Sequence, residues 1–469
     1  MRVAWQAGVL LALEEAGIAF DHADGISGGT MNLAMLLSRL TPAEMCERWR
    51  TVPVRDFASL LPLEEYLKAG ELPAMGDADG IIGSVFPHLG IDAGKIRAHR
   101  GMVGTFNVCN FTRKTNEAIP HNEIDLDLLV AGISLPIFMP PVKKNGFLYT
   151  DSVWIKDANL MEAVRRGSGE IWLLWCIGNT AEYCGGAFRQ YVHMIEMSAN
   201  GALFEEFERI REMGRPIRLH VIKPEYPLPL DPDLFLGKID AATLIDRGYA
   251  DAKRYLDSRK PEGVRLDPEA TRMQVSPSGI AFRGAFSGSL QLGESDVEAG
   301  KQRGEPFSLH AAVQIRDWKR FAASETPSAE LTAHFNFAPF GRTVLASSGS
   351  FRVEPHATGK RVVYEVRFEH QRRPYCLRGE LDLHHDAGLQ IWNRLTTMPV
   401  RLYEGTVVGG PVAGAGVLEM KMLDLPKFVS SLHATDTANA GESARLVAKF
   451  GSYLLGELWD AFASRFGQN

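Results

Sequence analysis

The sequence predicts an α/β domain over residues 1–260 and a β-rich domain over residues 270–469 that ends in an amphipathic helix. Three observations predict it. Short apolar runs alternate with helical patterns as far as Ser258, as in a chain of strand–helix units. Beyond Arg259-Lys260-Pro261-Glu262-Gly263 the apolar residues switch to alternation with period 2. From Ser443 onward they recur every three or four positions. A chain of 469 residues suits two or three domains at roughly 150 residues each. It can bury a core without a metal or disulfide staple.

Taken in order, residues 3–16 read as a helix, with Val3, Ala4, Val9, Leu10, Leu13 and Ile18 near helical spacing and Gly17 as the stop. Ala19–Ala23 reads as a short strand running into Gly25-Ile26-Ser27-Gly28-Gly29, and residues 30–40 return to helix. Leu128–Ile133 and Ile171–Ile177 are apolar runs of strand length, and Arg218–Ile222 is a further strand. Helices are expected at Asn159–Arg166 and Gln190–Met213. In the second domain, alternation marks strands at 281–286, 307–315, 331–337, 362–368 and 376–383. Val313-Gln-Ile315-Arg-Asp317 with Phe321 is echoed by Met420-Lys-Met422-Leu-Asp424 with Phe428, which suggests two related halves. In the tail, Leu446, Val447, Phe450, Leu454, Leu458, Phe462 and Phe466 form one stripe. Its polar face carries Glu457 and Asp460 rather than a run of cations, so packing on its own domain is expected over lying on a membrane.

Composition excludes several classes. The net charge of −6 lacks the basic excess of a general nucleic-acid binder, so nucleic acid is not an expected partner. Cys46, Cys109, Cys176, Cys184 and Cys376 form no C-x-x-C pair, which argues for reduced thiols and a cytoplasmic setting. The apolar stretch after Arg2 is broken by Glu14 and Glu15 and lacks a signal-peptide cleavage site. No run approaches the length of a membrane span. His384-His385-Asp386 is the densest metal-ligand cluster, but neighbours on a strand point to opposite faces, so no metal is expected. No phosphate loop or dinucleotide fingerprint is present, and no cofactor is expected.

The segment that carries chemistry is Gly25-x-Ser27-x-Gly29, between an expected strand and an expected helix. A serine on such a sharp turn exposes its hydroxyl, and flanking glycines permit the close backbone approaches the turn requires. The amide of Gly28, at the helix start, is a natural donor to a developing oxyanion. An ordinary glycine-rich turn is the competing reading. The second segment is Leu135-Pro-Ile-Phe-Met-Pro-Pro141, then Phe147-Leu-Tyr-Thr150-Asp151-Ser152 and Asp157-Ala-Asn159. Asp151 could act as a base on Ser27, or could simply cap a turn.

Together these motifs resemble the patatin-like phospholipases over roughly residues 1–255. Ala7-Gly8-Val9-Leu10 to Gly17-Ile18 resembles the family's first helix, and Gly25 to Asn32 its serine elbow. Ser134 to Val142 and Tyr149-Thr-Asp151-Ser152 resemble the approach to its catalytic aspartate. Asp157-Ala-Asn159 with Ala163-Val-Arg-Arg-Gly167 resembles the stretch beyond that aspartate. The resemblance implies a three-layer α/β/α fold and hydrolysis of lipid acyl esters by a Ser–Asp dyad, with Ser27 as nucleophile and Asp151 as base. It also implies oxyanion and elbow roles for Gly28, Gly25, Gly29 and Arg2. The implied partner is a lipid substrate, met at most by transient contact with a membrane surface; protein partners are undetermined.

Two departures stand out. Ser152 comes after the aspartate where the family has glycine, and Met1-Arg2-Val3 aligns with only the end of the family's glycine-rich oxyanion loop. The expectation is that the N-terminus is truncated within that motif, which leaves activity of the given chain open. One rival is an α/β-hydrolase-type esterase in which Ser27 and Asp151 are joined by His193 or His220. Another is a catalytically dead scaffold that binds lipid or protein.

Overall fold

The computed structural model describes residues 2–57, 59, 74–181, 186–230, 233, 235–356, 359–384 and 396–455. The chain divides into two compact units. One comprises Met1–Phe235 with Asp240–Val275, the other Leu236–Ile239 with Ser276–Asn469.

The first unit opens with helix α1 (Ala4–Glu15), which stops where Gly17 takes φ +73°. Strand β1 (His22–Gly25) is next, then α2 (Gly28–Leu37) and α3 (Pro42–Arg50). β2 (Val103–Asn110) is the centre of the first sheet. It pairs in parallel with β1, and antiparallel with β3 (Thr115–Pro120) and with β5 (Phe147–Asp151). β4 (Val142–Lys144) extends the sheet beyond β5.

Two sequence expectations change here. The strand expected at Ala19–Ala23 lies at His22–Gly25, closer to the serine. The run Leu128–Ile133, expected as a strand, belongs to helix α4 (Leu126–Ala131). Periodicity cannot separate a buried strand from a short buried helix. The cap decides: Asp125 has extended backbone and its carboxylate accepts the Leu128 N–H at 3.0 Å.

The rest of the unit is layered. β6 (Glu170–Leu174) and β7 (Arg218–Ile222) pair in parallel. Leu173, Leu219 and Val221 join one apolar cluster with α5 (Leu160–Arg165) and α6 (Ala187–Glu212). Trp172 and His220 point the other way and meet Tyr255 of α7 (Ala241–Ser258). This alternation of side chains puts a helical layer on each face of the strands, giving the α/β/α arrangement.

The second unit is an antiparallel barrel. Its strands are β8 (Gly279–Leu292), β9 (Glu305–Ile315), β10 (Ser328–Phe337), β12 (Ser348–His356), β13 (Gly359–His370), β14 (Arg373–His384), β15 (Thr397–Glu404) and β16 (Val412–Glu419). Each pairs with the next in that order, and β16 pairs back to β8, so the circuit closes. Closure removes the exposed edges on which other chains could pair. The short strands β11 (Gly341–Leu345) and β17 (His433–Thr435) flank β10 and β8.

Both echoed segments belong to this unit, whose strands form one closed sheet. The echo at Val313 and Met420 has a local meaning: in each copy a strand leads into a short helix, α8 (Trp318–Ala323) and α9 (Leu425–Ser431). Asp317 caps α8 through the Arg320 N–H at 3.0 Å, whereas the Asp424 side chain makes no such cap.

Alternate residues such as Phe335, Phe337, Tyr364, Val366, Leu377 and Leu402 form the barrel core. α10 (Ala440–Leu455) adds Leu446 and Phe450 to it, with Phe450 against Phe282 and Trp318. The remainder of the expected stripe, Leu458, Phe462 and Phe466, lies outside the described residues, as do Glu457, Asp460, Cys184, His385 and Asp386.

On the opposite face Glu365, 3% exposed, accepts from Arg352, Arg367 and Arg378 on three adjacent strands. The three guanidiniums hold its carboxyl below the usual range. Glu365→Ala leaves them facing one another, so a loss of about 2 kcal/mol is expected at neutral pH. A group with a lowered pKa stabilises the fold above the carboxylate range and loses that contribution as pH falls. The difference in thermal midpoint between wild type and variant should therefore shrink in acid; a difference that grows below pH 4 contradicts the assignment.

Candidate active site

Register places the two candidate residues. Gly25, the last residue of β1, stands opposite Phe106 of β2, and Asp151, the last of β5, stands opposite Val108. Two residues of one strand thus bring Ser27 and Asp151 together across 124 positions of sequence. The Ser27 hydroxyl donates to Asp151 Oδ2 at 2.7 Å.

Ser27 occupies a tight turn. Its backbone has φ 52° and ψ −128°, a left-handed conformation that costs a side-chain-bearing residue about 1–3 kcal/mol. The turn is closed by Gly29 N–H to Ile26 O at 2.8 Å and Thr30 N–H to Ser27 O at 3.0 Å. Space explains the neighbouring glycines. A Cβ on Gly28 would lie 2.2 Å from Val3 Cγ1, and one on Gly25 would lie 3.0 Å from the Gly29 carbonyl. Gly28 is also the first residue of α2, where amides lack a partner in the preceding turn and the helix favours negative charge.

Asp151 is 1% exposed. Its Oδ1 accepts from the Val153 N–H at 2.9 Å, and its own N–H donates to Ser134 O at 3.0 Å. Burial raises its pKa to about 7, opposed by the hydrogen bonds from Ser27 and Val153. A carboxylate so raised is a far stronger base than an exposed one and still ionises near neutral pH.

A cavity of about 350 Å³ opens beside Ser27 and Gly28, between β1 and β6, with Gln6 and Leu10 of α1 in its wall. Arg2 lines it and pairs with Glu196 at 3.3 Å; Glu196 also accepts the Gly178 N–H at 3.2 Å. Asp157, on the same cavity, is pushed up by burial and then by Asp151, while Arg2 pulls it down.

The structure brings together Ser27, Asp151, Gly25, Gly28 and Gly29, and Arg2 lines the same cavity as Ser27, Gly28 and Gly29. Residues 1–164 match the patatin-like phospholipase family. Members of that family are in general hydrolases of lipid esters. The matched span contains the turn, the buried aspartate and the strand between them, and ends within α5. No curated protein matches the chain.

Neither histidine weighed from the sequence is a partner of Ser27 or Asp151. His220 Nδ1 lies 2.8 Å from the Tyr255 hydroxyl, with its ring stacked on Trp172, and His193 sits on α6. Among the described residues there is no group of three or more His, Cys, Asp or Glu side chains able to hold a metal ion. No described helix is long and apolar enough to cross a membrane.

What the sequence reading missed is a set of buried amides beside the turn. Asn107 is fully buried on β2, flanked by the fully buried Phe106 and Val108. Asparagines inside an apolar run, as in Phe106-Asn-Val-Cys-Asn110, were the available signal.

The Gly28–Val3 approach yields a direct check. Gly28→Ala should lower stability by about 1–3 kcal/mol by overpacking. Val3→Ala in that background should recover part of the loss, measured by denaturant unfolding. Additive effects of the two substitutions would rule out this contact as the cause.

Proposed function

We propose that the α/β unit is a serine hydrolase of lipid acyl esters that works through a Ser27–Asp151 dyad. The observation that carries this reading is the 2.7 Å hydrogen bond from the Ser27 hydroxyl to a buried carboxylate. The family match supplies the substrate class.

In the reaction the Ser27 oxygen attacks the acyl carbonyl while its proton passes to Asp151 Oδ2. The oxyanion of the tetrahedral intermediate is met by the Gly28 N–H at the start of α2. Collapse expels the alcohol, protonated by Asp151, and leaves the acyl group on Ser27. Asp151 then takes a proton from water, which attacks the ester and frees the acid; the proton returns to Ser27 as it leaves. The cavity beside Ser27 offers the apolar side chains of Leu10 and Leu33 to the substrate. Arg2, held by Glu196, orders the backbone beside Gly28. The setting proposed is cytoplasmic, with lipid reached at a membrane surface.

Hydrolysis of p-nitrophenyl butyrate and of phosphatidylcholine vesicles tests the reading. Ser27→Ala and Asp151→Asn should each lower kcat/KM by roughly 10³-fold or more. His193→Ala and His220→Ala should not. Because Asp151 must be ionised to accept a proton, activity should fall about tenfold per unit below pH 7. Hydrolysis that survives Ser27→Ala, or labelling of another residue by a serine-reactive phosphonate, overturns the dyad; loss in a histidine variant points to the triad.

The same burial has a stability cost. A raised carboxyl pKa favours the protonated folded state, so wild type loses stability as pH rises from about 4 to 7. Asp151→Asn should therefore unfold at higher temperature than wild type at pH 8, with the gap closing toward pH 4. A gap independent of pH would show that Asp151 is not the titrating group.

A further inference from the structure

The strands that lead to Ser27 and end at Asp151 are joined a second time by side chains. Ser152, the residue after Asp151, donates its hydroxyl to Asn116 Oδ1. Asn116 Nδ2 donates to Asn107 Oδ1 at 2.9 Å, and Asn159 Nδ2 donates to the same oxygen at 2.7 Å. Asn107 Nδ2 donates in turn to Asp24 Oδ1 at 2.7 Å and to the Gly25 carbonyl at 3.4 Å. Asn107 and Ser152 are both fully buried. The chain of contacts runs from one residue after the base to two residues before the nucleophile.

Position gives this chain its meaning. Asn107 stands on β2 between Phe106, which faces Gly25, and Val108, which faces Asp151. Those are the last rungs of the two ladders: Asp151 stands in one of them, and Ser27 lies two residues past the other. Backbone pairing sets the register of the strands and leaves the turns past their ends to other contacts. The turn at Ser27 is in a conformation that persists only when its surroundings over-determine it. An amide inside a core is costly unless it is fully bonded, and once bonded it is directional in a way that an apolar side chain is not.

We propose that Asn107 is a positioning residue for the reaction: its side-chain amide ties the turn bearing Ser27 to the turn after Asp151 and so holds the Ser27–Asp151 hydrogen bond. This inference rests on the dyad proposed above. Asn107 touches neither substrate nor reacting atoms.

The test compares wild type with Asn107→Ala, with Ser152→Gly, and with Leu203→Ala, a truncation in the apolar cluster of the same unit. Steady-state ester hydrolysis, thermal midpoint and the titration of Asp151 are measured for each. Asp151 is followed by difference infrared spectroscopy against Asp151→Asn, which needs no turnover.

Asn107→Ala should lower kcat about 10–100-fold with KM changed by less than about threefold, the scale expected for a misplacement of about 1 Å. Its Asp151 titration and the acid limb of its activity should move to higher pH, because the Ser27 hydrogen bond that lowers that pKa is weakened. Ser152→Gly removes the far end of the chain without touching β2 and should shift both in the same direction by less. Should Asn107→Ala fail to fold, Ser152→Gly decides the question. Leu203→Ala should lower the thermal midpoint while kcat and the titration stay near wild type.

Unchanged kcat and titration in Asn107→Ala, or an equal kcat loss in Leu203→Ala at the same drop in midpoint, overturns the positioning role and leaves the dyad standing. Hydrolysis that does not depend on Ser27 overturns the dyad; the Asp151 titration then still decides whether Asn107 holds the hydrogen bond.

Discussion

The pairing of β2 on both edges is the constraint on which the rest of the α/β unit depends. Its parallel edge fixes the end of β1 and its antiparallel edge fixes the end of β5. Without that shared neighbour, Ser27 and Asp151 would be two loop residues far apart in sequence. With it, one hydroxyl and one carboxylate meet at hydrogen-bond distance and the strained turn at Ser27 is held on three sides: by β1, by α2 and by the close approach of Val3 to Gly28. A local rule is broken at the serine backbone, and packing around it supplies the compensation.

Burial performs two opposed tasks at this pair. It removes Asp151 from water, raising its basicity toward neutral pH, and by the same act makes its ionised form a liability to the fold. The two hydrogen bonds it accepts, from Ser27 and Val153, recover part of the lost solvation. The barrel solves a comparable problem in another way. Glu365 is as buried as many core residues, yet three arginines, one on its own strand and one on each neighbour, surround it, so its charge is matched rather than suppressed. A carboxylate with one hydroxyl and one amide partner keeps a raised pKa; one ringed by guanidiniums has a lowered one.

Much of the fold was legible because periodicity reports burial directly. Strand Arg218–Ile222, the long helix around Gln190–Met213 and the alternating segments of the second unit were all visible in that way. Leu128–Ile133 was misread because a six-residue apolar run carries no period long enough to distinguish helix from strand, and its cap at Asp125 lies outside the run. The echoed Val313 and Met420 segments reported a repeated strand-and-helix step, while the closure of the sheet between β8 and β16 left no mark on either segment. Asn107 was overlooked because a polar residue in an apolar run is ambiguous until its partners are known.

The sequence by itself determined the types of most elements and the glycine-flanked turn, and it named the two residues proposed to react, since each depends on neighbours within a few positions. Whether Ser27 and Asp151 meet, how deeply the carboxylate is buried, and which amides lie beneath them were decided only by tertiary structure. Those properties depend on register between strands more than a hundred residues apart and on the solvent that packing excludes. No local pattern encodes either.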